Sequence, residues 1–177
     1  MSNKSMKVFS SSIFALFLLS CGVSKTKSNE TNDLIGKITV SELIKTEHKE
    51  WFNKELNTYK VDIETLSDFE NNPNRLKKIS VKIFLGTWCS DSRREVPRFY
   101  NVLRFLNIEN FELIGLNRKK KSPTHLEKGM NINYVPTFII YLDGKEINRI
   151  IETPVESLEK DLIAIIQAKN YTPNYQD

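Results

Sequence analysis

The stretch from Ile79 to Asn117 limits the fold more than any other part of the chain. "KISVKIFLG" alternates weakly and is rich in β-branched and aromatic residues, which predicts a buried strand from about Ile79 to Leu85. "SDSRREVPRFYNVLRFL" then places Val96, Phe99, Tyr100, Leu103 and Leu106 on one face of a helix. "FELIGLN" reads as a second strand. A strand, a helix and a strand in this order form a right-handed parallel crossover. Further on, "TFIIYLDGKEINRII" is two strands joined by Asp143-Gly144, a two-residue hairpin signal that adds antiparallel edges. The fold class is therefore α/β, a mixed β-sheet sandwiched by helices.

The flanking segments predict the remaining helices. "TVSELIKTEHKEWFNKEL" spaces Val40, Leu43, Ile44, Trp51, Phe52 and Leu56 helically, with Ser41 as the expected N-cap. A helix from about Asp62 should stop at Asn71-Asn72-Pro73. "SPTHLEKGMNIN" predicts a short helix ended by Gly129. "TPVESLEKDLIAIIQAKN" predicts a last helix, with Thr153 as cap, Pro154 in the first turn, and Leu158, Leu162, Ile165 and Ile166 inward.

The first residues carry a different signal. Lys4 and Lys7 precede a 12-residue apolar run, Val8 to Leu19, too short for a bilayer, which needs about 20 residues. It fits a secretory signal. Leu18-Leu19-Ser20-Cys21 resembles the lipobox of bacterial lipoproteins, which implies that residues 1–20 are removed and Cys21 is lipidated. Residues 21–33 are then a flexible tether, on the order of 20 Å long, and the folded domain is 34–177. The resemblance implies a protein anchored to a bacterial membrane through Cys21, in the cell envelope, with its domain outside the cytoplasm. Removing Lys4 and Lys7 leaves 24 basic against 22 acidic residues. That balance gives no argument for nucleic acid, and the run Arg118-Lys119-Lys120-Lys121 reads as a solvated loop.

With Cys21 lipidated, Cys89 is the one thiol left in an oxidising compartment, and an odd exported thiol marks an intermolecular or reactive group. Cys89 stands where the predicted strand meets a helix N-terminus, a place that favours a thiolate through unpaired N–H groups and the helix dipole. Arg93 and Arg94 add positive charge and Asp91 opposes them. Cys89, His48 and His125 do not have metal-ligand spacing, and both histidines read as surface or loop residues. No metal and no cofactor are expected.

Three features together resemble the thioredoxin superfamily. A strand ends in Trp88-Cys89 at a helix start, Pro97 follows eight residues after Cys89, and Val135-Pro136-Thr137 precedes the hairpin. The resemblance covers about Ile79 to Lys169. It implies a cis peptide bond at Pro136 beside the nucleophile, and catalytic roles at Trp88, Cys89, Ser92 and Pro136. It also implies substrate contacts at Val135, whose backbone would pair with an extended partner, and at Thr137 and Arg93. Two positions depart from the family. Ser92 stands where a second, resolving thiol would be. Ile83, with Lys82 beside it, stands where thioredoxins bury an acid that serves that thiol. Both losses belong to the step that resolves a mixed disulfide internally. The expected function is thiol–disulfide exchange by Cys89 alone, as isomerisation, deglutathionylation or trapping. The partners are exported proteins or small-molecule thiols and disulfides, met by a monomeric domain. The alternative is a non-catalytic binding module of the cell envelope that keeps the groove beside Pro136.

Overall fold

The computed structural model describes residues 32–70 and 73–175. The expected signal peptide, Cys21 and most of the expected tether lie outside the described residues. Asn32 and Asp33, assigned to that tether, already bond to the domain: the Asn32 carbonyl lies 3.0 Å from His48 Nε2, and Asp33 Oδ1 accepts from the Thr87 hydroxyl at 3.1 Å.

The chain runs β1 (Gly36–Ile38), α1 (Val40–Lys45), α2 (Lys49–Thr58), α3 (Ile63–Glu70), α4 (Pro73–Leu76), β2 (Ile79–Leu85) and α5 (Ser90–Phe105). It continues through β3 (Phe111–Gly115), β4 (Thr137–Leu142), β5 (Lys145–Ile151) and α6 (Leu158–Ile166). The five strands form one mixed sheet in the order β1-β3-β2-β4-β5. β2 and β3 are parallel, the expected crossover, with Val81 opposite Phe111 and Leu85 opposite Gly115. β4 runs antiparallel to β2, and β5 antiparallel to β4. A parallel β2-α5-β3 unit extended by an antiparallel hairpin is the thioredoxin-like arrangement.

β2 lies at the centre, and its alternating side chains divide the core. Ile79, Val81, Ile83 and Leu85 face the larger cluster, built with Val96, Phe99 and Leu103 of α5 and Leu158 and Leu162 of α6. Phe84 faces a smaller cluster with Ile114, Leu116, Ile132, Val135 and Ile139, against which Trp88 and Cys89 pack. The irregular segment between β3 and β4 covers this second face.

Several expectations are corrected. The first predicted helix is two, α1 and α2, because the chain turns at Thr46 to His48. The N-cap of α1 is Thr39, not Ser41, in a capping box with Glu42. β1, unforeseen in the sequence, pairs antiparallel with β3. The helix expected in "SPTHLEKGMNIN" is a chain of single turns, with His125 at φ 53° and Gly129 at φ 76°. The cap of α6 is Ser157, not Thr153, because Asp161 takes the N–H groups of Val155 and Glu156 at 2.6 and 3.1 Å. His48 is buried, its ring 5.9 Å from that of Trp51, rather than at the surface.

Candidate functional site

The loop after β2 is held by short-range bonds that fix Cys89. The Gly86 carbonyl accepts from the Cys89 N–H at 2.9 Å, and the Cys89 carbonyl accepts from Arg93 N–H at 3.0 Å, which starts α5. Gly86 is required by a close approach. A Cβ there would lie 2.5 Å from Cε2 of the Trp88 indole, well inside contact distance. The indole N–H donates to the Leu116 carbonyl at 2.8 Å, and the Arg118 guanidinium lies 5.2 Å from the centre of the ring system. Trp88 is thus held on three sides.

Cys89 is half-buried, free, and the N-cap of α5, with no side-chain cap bond. Its thiol donates to the Val135 carbonyl at 3.1 Å. The Val135–Pro136 bond is cis, as the resemblance implied. Cys89, Trp88, Val135 and Pro136 therefore meet at one place, at the N-terminus of a 16-residue helix.

The other expected site residues have different surroundings. Ser92 is wholly buried, and its hydroxyl accepts the Gly86 N–H at 3.1 Å. It is a peg between helix and loop. Thr137 is buried and donates to the Tyr134 carbonyl at 2.8 Å. Arg93 is exposed but folds back, Nε to the Thr87 carbonyl. Arg94 pairs with Asp91 at 2.7 Å and Glu95 at 2.6 Å, so its charge is answered within the helix. Ile83 is fully enclosed in the core, and the Lys82 ammonium lies 5.8 Å from the Tyr141 ring centre. The position that would hold a buried acid holds hydrocarbon. Among the described residues, no group of three His, Cys, Asp or Glu side chains could hold a metal.

Sequence reasoning missed three contributors. Thr87, fully buried, accepts from Leu34 N–H at 3.2 Å and donates to Asp33, tying the start of the domain to this loop. Arg118 belongs to a run whose composition points to a solvated loop, and nothing local marks its position over Trp88. The segment 122–130 is braced by Glu127, a buried carboxylate that accepts from the Ser122 hydroxyl at 2.7 Å and the Ser122 N–H at 3.1 Å. Burial pushes the Glu127 carboxyl up, but these hydrogen bonds and the nearby Lys121 outweigh it and bring it down to about 2.

No family model matches this chain. A curated relative, the TPR repeat-containing thioredoxin TDX of Arabidopsis thaliana, is 27% identical over 105 residues, 58% of this chain and 27% of the relative's length. Thioredoxin from Fasciola hepatica is similar in structure, with a TM-score of 0.39 and 21% identity over 59% of this chain and 93% of that one. Mitochondrial thioredoxin 3 from Saccharomyces cerevisiae gives 0.38 and 21%, over 58% and 89%. These are similarities of limited extent. The thioredoxin-like fold stands on the strand order, the crossover and the meeting of Cys89 with Val135-Pro136.

Proposed function

We propose that the protein carries out thiol–disulfide exchange with Cys89 as its single working thiol. The observation that carries this reading is the pairing of two placements. The Cys89 sulfur sits at the N-terminus of α5, 3.1 Å from the Val135 carbonyl, while Ser92 is consumed as a buried peg. The Cys89 thiolate attacks one sulfur of a partner disulfide, and the S–S electron pair leaves with the other sulfur as a thiolate. The Val135 carbonyl, freed of the thiol hydrogen, accepts an N–H of the extended partner. With no second thiol among the described residues, an external thiolate completes the cycle by attacking the partner's sulfur. Cys89 returns as a thiolate and the partner leaves in a new disulfide. This suits isomerisation, deglutathionylation or trapping better than net dithiol reduction. The same reading includes lipidation at Cys21, which would hold the domain at a bacterial membrane in the envelope, facing exported proteins and small thiols.

The test is a pH profile of Cys89 alkylation together with mass spectrometry of mixed disulfides. Reaction faster than that of a free cysteine at neutral pH, and a Cys89-linked adduct with glutathione disulfide, are expected. A thiol no faster than free cysteine, with no adduct, would refute exchange. Fatty-acid labelling that disappears in Cys21→Ser tests the anchor. The second reading, a binding module, is favoured by Arg94, which spends its charge inside α5 rather than on the thiol. It requires a Cys89→Ser variant to retain its partners in full.

A further inference from the structure

We propose that the basic turn after β3 selects disulfides flanked by carboxylates for the exchange at Cys89; the proposal rests on Cys89 being the nucleophile. Residues 118–121 are all Arg or Lys. The turn that carries them is closed, not a floppy excursion. Asn117 N–H donates to the Lys121 carbonyl at 3.0 Å, and Lys120 N–H to the Asn117 carbonyl at 2.8 Å. Asn117 Oδ1 accepts from the N–H groups of Lys119 and Lys121 at 2.9 and 3.1 Å.

The turn is also fastened to the nucleophile loop. Leu116, one residue before Asn117, takes the Trp88 indole N–H, and Arg118 covers the Trp88 ring at 5.2 Å. Trp88 precedes Cys89, so Arg118 lies one side chain from the residue at which a partner disulfide must arrive, and Lys119 and Lys120 follow it on the same turn. Arg118 and Lys119 are exposed, and among the described residues no carboxylate pairs with Arg118, Lys119 or Lys120. Of the acids around the site, Asp91 pairs with Arg94, Glu127 accepts from Ser122 with the Lys121 ammonium 3.8 Å away, and Asp33 accepts from the Thr87 hydroxyl. Beyond the turn, a cavity of about 630 Å³ is lined by Lys121, His125, Glu127, Lys128 and Ile132. Arg118, Lys119 and Lys120 thus give the turn its own positive field, although the chain as a whole is nearly balanced. Such a field raises the encounter rate of anions and lowers that of cations, and it is screened by salt. In the exchange Cys89 is oxidised to the mixed disulfide and one partner sulfur leaves reduced. Carboxylates beside the partner's disulfide would lie against the turn while the sulfurs meet at Cys89.

The experiment measures second-order rates of Cys89 oxidation in the full chain with three small disulfides. They are the dianionic dithiobis(nitrobenzoate), the neutral bis(2-hydroxyethyl) disulfide and the dicationic cystamine. Arg118→Gln with Lys119→Gln, and separately Lys119→Glu, are compared with the unaltered protein for each probe. At ~0.01 M ionic strength the dianion should slow about two- to fivefold for each positive charge removed, and the dication should speed up by a similar factor. The neutral probe should not change, and the differences should vanish near ~1 M salt. A parallel arm uses peptide disulfides flanked by Glu or by Lys. A charge-dependent change confined to peptides assigns the site to polypeptides, and one confined to small probes assigns it to small thiols; both support the selectivity. Equal changes for anion and cation, or no change in either arm, overturn it. If even the neutral probe fails to oxidise Cys89 in the unaltered protein, exchange itself is refuted, which is a distinct result.

Discussion

Ser92→Ala is the most informative single substitution. In a two-thiol site this position does chemistry; here its hydroxyl accepts the Gly86 N–H at 3.1 Å, and both residues are buried. Alanine removes the acceptor and leaves a buried N–H without its partner, a cost of about 1–3 kcal/mol. Alanine is the better helix former, which returns a few tenths of a kcal/mol. The net loss is then about 1–2.5 kcal/mol, and for a domain of this size about 4–10 °C in Tm. Circular dichroism on heating and a urea titration measure it, with an unchanged m-value showing that only stability has moved. A loss within about 0.5 kcal/mol, the range of ordinary surface changes, would refute the peg. Ser92→Cys adds the functional half: with a thiol restored three residues from Cys89, mild oxidation should remove both thiols from an Ellman count, and insulin disulfide reduction should appear.

Gly86→Ala drives a methyl into the Trp88 indole, with 2.5 Å to the nearest ring atom, and should cost about 1–3 kcal/mol and shift the near-ultraviolet circular dichroism of Trp88. Tyr59→Phe takes a hydroxyl from the buried Glu159 carboxylate, which it meets at 2.9 and 3.0 Å, and should cost about 1.5–3 kcal/mol in urea unfolding while Cys89 alkylation is unchanged. Glu127 is held at about 2, below its ordinary 4.5, so its contribution is complete above about 4.5 and is lost as pH falls through about 2. In Glu127→Gln, urea midpoints followed from pH 6 downward should be lower at pH 6 and should lose that part of the acid slope.

The central strand, α5 and the hairpin were legible because each has a period or a turn signal contained in its own residues. β2 begins at Ile79 and ends at Leu85 as expected, and Asp143-Gly144 joins β4 to β5. What the sequence hid was set by distant partners. β1 is three residues long, too few to show alternation, and exists because β3 offers it an edge. The caps of α1 and α6 were misplaced because every candidate, Thr39 and Ser41 or Thr153 and Ser157, is a suitable residue type. Glu42 and Asp161 decide between them through their own hydrogen bonds. At the site, Trp88, Cys89 and Pro136 were legible as a motif. The structural occupation of Ser92, and the position of Arg118 over Trp88, depend on three-dimensional neighbours that spacing does not reveal.

The bonds from Thr87 to Asp33 and Leu34 also have a mechanical meaning. They fasten the start of the folded chain two residues from the nucleophile. A pull on the chain from that end would load the Asn32–His48 contact and then these two bonds, so it reaches the loop that holds Cys89 before β1 and the sheet. The first described residues and the Cys89 sulfur share one small lever. Were the chain anchored at that end, as proposed above, tension along it would bear on the loop that holds Cys89.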